Sequence, residues 1–323
     1  MKRKVIILIL ISMLLGLLSG CKTKKATIVT TVYPVKYIVE QLAGNRVNVE
    51  CISTDEFIQR ATLKSGYEKI FEDTALFLYI GELEPYLKIY EEHIQSYDFN
   101  IINLAALSAI DEFKRFILTT APNGSTVVTE SKYYDSALFD MVDTYKKDPF
   151  IWIDPIAASS MAATIKEWLQ NYYPEESLSI ENNFKNLQAQ LVRLDSEYQM
   201  LKQYTDKKMV TVACTFGNWQ KTYGIEVYPL ILSEYGVLPD ARQLEFIKNE
   251  IKKNDVKYIV YDDTLPEDMQ ELYRQVREEL DLTPINLSSL TILSEKNVES
   301  NMDYMTIMYQ NLKALTDAFG GEE

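Results

Sequence analysis

Apolar side chains recur along residues 175–204 at Ile180, Phe184, Leu187, Leu191, Leu194, Tyr198 and Leu201, in alternating steps of four and three. That spacing puts all of them on one stripe of a helix. Pro174 supplies a fixed φ at the start, and Glu175 and Glu176 place negative charge where a helix dipole favours it. At about 1.5 Å per residue the stretch reaches about 45 Å. No turn residue interrupts it. Such a stripe suits a bundle helix or a spine between two lobes, and the patterns on either side favour the spine.

Before the stripe, strand and helix patterns alternate. Residues 27–33 (TIVTTVY) form a β-branched run stopped by Pro34; residues 35–43 have helical spacing and end at Gly44-Asn45. Residues 47–52, 75–80 and 99–104 read as further strands, with short helices predicted at 63–73 and from Glu84-Pro85 to about 94. Residues 105–147 are less regular and carry the loop signal Ala121-Pro122-Asn123-Gly124. A helix is predicted over 157–169. After the stripe, strands are predicted at 208–214, 225–232, 256–261 and 283–287. Helices are predicted at 219–223, 242–253, 266–279 and 302–319. The expected class is α/β: two α/β lobes with parallel sheets joined by one long rigid helix. The expected divisions are a leader at 1–20, a tether at 21–26, one lobe at 27–173, the linker helix at 174–205 and a second lobe at 206–323.

Composition narrows the function. The chain has 323 residues, 47% apolar, enough for sizeable cores. Its formal charge of −14 leaves no excess of basic surface to neutralise phosphates, which argues against nucleic acid as a partner. At the N-terminus, Lys2, Arg3 and Lys4 precede an apolar run at 5–18, shorter than the ~20 residues a spanning helix needs. Leu18-Ser19-Gly20-Cys21 then resembles the lipobox of bacterial lipoproteins, which implies cleavage before Cys21 and a lipid on its thiol. Cys51 and Cys214 lie in different halves without metal-type spacing and read as small buried thiols rather than a disulfide.

Several blocks, in order, resemble the metal-type solute-binding lipoproteins of ABC importers, the zinc and manganese receptors also described as adhesin-like. The blocks are TIVTTVYPVKYIVEQLAGNRVNV; GELEPYL at 81–87, with Tyr86 where the family has tryptophan; DPFIWIDP at 148–155; Thr215-Phe216-Gly217-Asn218 with Tyr223-Gly224; Pro239-Asp240-Ala241-Arg242-Gln243-Leu244; VKYIVYDD; and YMTIMYQNLKAL. They cover essentially the whole chain after the leader. The resemblance implies two lobes bridged by a rigid helix, Zn2+ or Mn2+ in the cleft, and an ABC permease as partner. With the lipobox it implies a lipid-anchored, monomeric protein on the extracytoplasmic face of the cell membrane.

The positions equivalent to the family's metal ligands are Gln59, Phe150, Ala213 and Ser288. None carries an imidazole, thiolate or carboxylate, the usual donors for zinc. The family's His-rich loop before the Asp-Pro-His signature is also absent here. The single histidine, His93, lies in YLKIYEEHIQSY and reads as a surface residue. A shift of one position brings in Cys214 or Thr215, and Asp148, Asp154, Asp262 and Asp263 are further candidate cleft contacts. Asp148 and Asp154 suit Asp-Pro turns better than acid–base work, and no nucleophile–histidine motif or phosphate-cradling loop stands elsewhere. The ligand is therefore open: a non-standard metal species, a small molecule, or none held tightly. A second reading keeps the scaffold as a surface lipoprotein with an adhesion or partner-binding role and no transport.

Overall fold

The computed structural model describes residues 25–54, 57–108 and 110–321; the leader, the lipobox and Cys21 lie outside them. In the first sheet, β1 (Thr27–Thr30), β2 (Asn48–Cys51), β3 (Thr74–Tyr79) and β4 (Asn100–Asn103) pair parallel in the order β2-β1-β3-β4. The crossovers carry α1 (Tyr33–Ala43), α2 (Tyr67–Glu72) and α3 (Leu87–Gln95). The second sheet lies beyond an antiparallel hairpin, β5 (Arg115–Thr120) and β6 (Thr126–Ser131). There β7 (Lys208–Thr211), β8 (Glu226–Pro229), β9 (Tyr258–Tyr261) and β10 (Thr283–Asn286) pair parallel in the order β10-β9-β7-β8. Parallel strands need helical crossovers that cover both faces. The inner strands β1, β3, β7 and β9 are accordingly buried or half-buried, whereas the edge strands β2, β4 and β10 keep exposed positions.

Two long helices form the spine region: α4 (Pro155–Tyr172) and α5 (Ser177–Gln199). The α-helix starts later than the sequence predicts, because Pro174–Glu176 form a 3-10 turn, and Met200–Gln203 form another at the far end. Every member of the stripe is buried. They pack α5 against α1, α4, α6 (Asn218–Tyr223) and α10 (Tyr304–Gly320). Tyr198 also donates to the Met308 carbonyl at 2.8 Å. Burying each large apolar side chain contributes about 1.5–3 kcal/mol before ordering costs, so the stripe is a main source of cohesion.

Sequence patterning missed two elements. The hairpin was hidden because every residue of β6 is exposed, leaving no alternation to read. It is held from outside: Arg115 pairs with Glu226 at 2.9 Å and stacks 4.5 Å from the Tyr228 ring centre. Gln220 donates to the Lys114 carbonyl at 3.0 Å. The five-residue α9 (Glu295–Glu299), capped by Ser294, is too short to show periodicity. The hairpin side of the expected first lobe also crosses over. Tyr133 and Tyr134 join the core of the second lobe, and Tyr134 donates to the Pro229 carbonyl at 2.8 Å. Aromatic burial there outweighs chain order. The remaining helices, α7 (Ala241–Lys253) and α8 (Glu267–Leu280), flank the second sheet. Among the described residues no helix is long and apolar enough to cross a membrane.

Candidate functional site

In each sheet the direction of strand order reverses once, between β1 and β3 and between β7 and β9. Ligands of open α/β sheets bind beyond the carboxyl ends of the strands at such points. In the first lobe Thr31 and Ile80 follow these strand ends, and Glu84 ties them together. Its carboxylate accepts from the Thr31 hydroxyl and from the Ile80 amide at 3.1 Å. In the second lobe Asp262 plays the same part. It accepts from Thr264 N and Oγ1 at 3.0 and 2.7 Å and from the Ser289 amide at 2.9 Å. Both carboxyls are buried, and burial raises both pKa values, Glu84 to about 7. They fasten crossover loops instead of facing a cavity.

The four positions that the resemblance points to are placed as follows. Gln59, 4% exposed, donates from Nε2 to the Ser233 carbonyl at 3.0 Å and approaches Cys214 Sγ at 3.5 Å. Its Oε1 is buried without a partner among the described residues. Ala213, 3% exposed, is packed in the second core directly before Cys214. Phe150 is fully buried, edge-on to Tyr145 at 6.3 Å and to Trp152 at 5.4 Å. Tyr145 links it to the Gln59–Cys214 pair: its hydroxyl is pushed far up by burial and by nearby Cys214, with Gln59 hydrogen bonding against that shift. Ser288 stands apart, and Trp152 Nε1 donates to the carbonyl of the next residue, Ser289, at 2.7 Å. Asn311 clamps Ser288 from both sides, accepting from its amide and donating to its carbonyl, each at 2.9 Å. The Ser288 hydroxyl accepts from the amide of Leu290, which sits at φ 61°. Gln59, the 213–214 step and Phe150 thus come together at the lobe interface, and Ser288 does not join them.

The other candidates are engaged locally. Asp154 caps α4, accepting from the Ile156 and Ala157 amides at 2.8 and 3.1 Å, and takes a third bond from Thr222 at 2.9 Å. Cys214 is buried, and burial pushes its thiol well up, which opposes thiolate formation. Asp263 is exposed at the outer end of β9. His93 is on the surface, with Nδ1 2.8 Å from the Tyr67 hydroxyl. Cys51 Sγ donates to the Thr31 carbonyl at 3.4 Å. Asp148 is the group the sequence undervalued. An Asp-Pro turn residue by pattern, it is 3% exposed, and burial lifts its carboxyl to about 7, opposed by a bond from the Phe150 amide. A Cβ on Gly217 would lie 2.0 Å from Asp148 Oδ2, so only glycine fits beside it. No local signal marks that burial, because the covering residues come from positions 133 and 217.

Zinc needs about four N, S or O donors, with charge enough to offset a dication in a dry centre. Here Gln59, Cys214, Phe150 and Ala213 offer an amide, a buried thiol and two apolar side chains, and the buried Asp148 carboxyl lies beside Cys214. Among the described residues no group of three or more His, Cys, Asp or Glu could hold a metal ion. Gln59, Phe150 and Ala213 carry none of the usual zinc donors.

Two parallel α/β lobes meeting at their strand ends and bridged by a long helix define the helical-backbone class of solute-binding proteins, not an enzyme class. The family described as ZnuA, zinc-uptake complex component A periplasmic, matches residues 28–318, and the chain belongs to it. The zinc-binding lipoprotein AdcA of Streptococcus pneumoniae is 25% identical over 322 residues, covering 97% of this chain and 60% of that protein. This chain therefore spans about three-fifths of the AdcA relatives it matches. The high-affinity zinc uptake system protein ZnuA of Bacillus subtilis is 24% identical over 302 residues, covering 92% of this chain and 88% of the relative. In structure, the Zn(II)-bound ZnuA-like domain of the S. pneumoniae AdcA aligns with a TM-score of 0.67 at 22% identity, over 92% of this chain and all of that one. The periplasmic zinc binding protein TroA of Treponema pallidum aligns at 0.71 and 17% identity, over 93% of this chain and all of its own. At these identities the structural likeness concerns the fold.

Proposed function

We propose that this chain is the lipid-anchored, extracytoplasmic solute-binding component of a metal-type ABC import system, with an inter-lobe centre that no longer has the donor set for Zn2+ or Mn2+. In this reading residues 1–20 are a signal peptide and Cys21 carries the lipid. Lobes at 27–173 and 206–323 flank a linker helix at 174–205, and a membrane permease is the partner. Family membership supports the import role. The observation that supports the altered centre is Gln59: its amide nitrogen lies 3.0 Å from the Ser233 carbonyl and 3.5 Å from Cys214, at the position where the resemblance places the first metal ligand.

In-cell cross-linking of the full chain is expected to recover a multi-spanning permease subunit, and Cys21→Ser to shift the protein to the soluble fraction. Cross-links confined to proteins outside transport would contradict the import role and favour the adhesion or partner-binding reading. Membrane retention of Cys21→Ser would contradict the anchor.

A further inference from the structure

We infer that the loop at residues 57–60 is a latch that holds the two lobes closed without a cargo ion. The inference rests on the reading of a centre without metal donors. Three side chains in one turn cross from the first lobe into the second, each by a different interaction. Phe57 leaves its own lobe to join the second hydrophobic core, where its ring borders Gly236. Gln59 donates to the Ser233 carbonyl from a buried position. Arg60 Nη1 donates to both carboxylate oxygens of Asp268 at the start of α8, at 3.0 and 2.8 Å, and its Nε donates to the Gly236 carbonyl at 3.0 Å.

The receiving surface is shaped for this loop. Gly236 sits at φ 65°, and a Cβ there would approach Phe57 Cε1 at 3.0 Å and Arg60 Nε at 3.3 Å, so a side chain would push the loop away. The neighbouring Glu234 adds a looser tie, 3.6 Å from Lys88 of the first lobe. A planar guanidinium held by a carboxylate and a carbonyl is a directional lock, unlike a lone surface ion pair. In a receptor closed by its cargo, the ion supplies the tie between lobes. Here side chains of the chain supply it, and closure is uncoupled from metal.

Hydrogen exchange of the full chain tests the latch, read at the amides of Arg60, Ala61 and Gly236, which are hydrogen-bonded within the two facing loops. In the wild type these amides are expected to exchange slowly and at the same rate with Zn2+ or with a chelator. Arg60→Ala should accelerate them about tenfold or more while the β1, β3 and β7 amides keep their protection. Asp268→Asn removes the charge of the pair at an exposed position and should give the same local change in a smaller measure. Unchanged protection in Arg60→Ala would overturn the latch. So would wild-type amides that exchange fast and slow down only on adding Zn2+. Loss of protection throughout both variants would overturn it too, since the loop would then belong to the folding core. A metal titration reads the composition of the centre separately, so the latch and the reading beneath it can fail independently.

Discussion

Asp148 keeps its proton in the folded protein up to about pH 7, whereas an ordinary aspartate ionises near 3.8. Burial is the first cause, the Asp111 charge adds to it, and Tyr133 and Cys214 lie nearby. Between those values the folded state binds more protons than the unfolded chain. Stability therefore falls as pH rises from about 4 to about 7, and the loss is complete above that range. Glu84 acts in the same sense from 4.5 to about 7. Denaturant unfolding should show a wild-type stability that drops between pH 5 and pH 8, and Asp148→Asn should remove part of that drop, on the order of a few kcal/mol. A variant whose stability follows the wild-type slope would contradict this account of Asp148. Residues at this scale were unevenly legible in the sequence. Gln59, Phe150, Ala213 and Ser288 are named only through the resemblance, each by its distance from a family block. Arg60, Ser233, Tyr145 and Asp268 could not be named, since their roles arise from contacts between segments far apart in the chain.

Among the elements, α5 was the most legible because its six stripe positions, continued by Leu201 in the turn that follows, are all buried. Leu191→Ala should cost about 2–5 kcal/mol, since it opens a cavity in a fully buried layer. Val192→Ala, one residue on and 48% exposed, should change stability by about 0.5 kcal/mol or less. Equal losses at the two sites, measured by denaturant unfolding, would show that the stripe does not face the core. The hairpin of β5 and β6 was illegible for the opposite reason. Its outer strand buries nothing, and its position depends on Arg115 meeting Glu226 and Tyr228 from another part of the chain. The boundaries of helices shifted by a few residues wherever a 3-10 turn took the place of the first or last helical turn, as at Pro174–Glu176.

For the whole molecule, the alternation of strands and helices on each side of one long stripe was enough to give two parallel-sheet lobes, and family membership agrees with that architecture. The closing contact between the lobes was not readable. It is made by a short loop whose neighbours in space lie 174 to 208 residues away in sequence. An excess of acidic residues, 47 against 33 basic, gives the surface weak and scattered attraction for divalent cations. Specific binding has to be distinguished from it by stoichiometry and affinity. The most direct measurement is isothermal titration of Zn2+, and separately Mn2+, into chelator-treated protein. The account predicts no saturable one-to-one binding in the micromolar range or below, in both the wild type and Cys214→Ser. Sub-micromolar one-to-one binding of either ion that is lost in Cys214→Ser or Asp262→Asn would contradict it and restore a working metal centre.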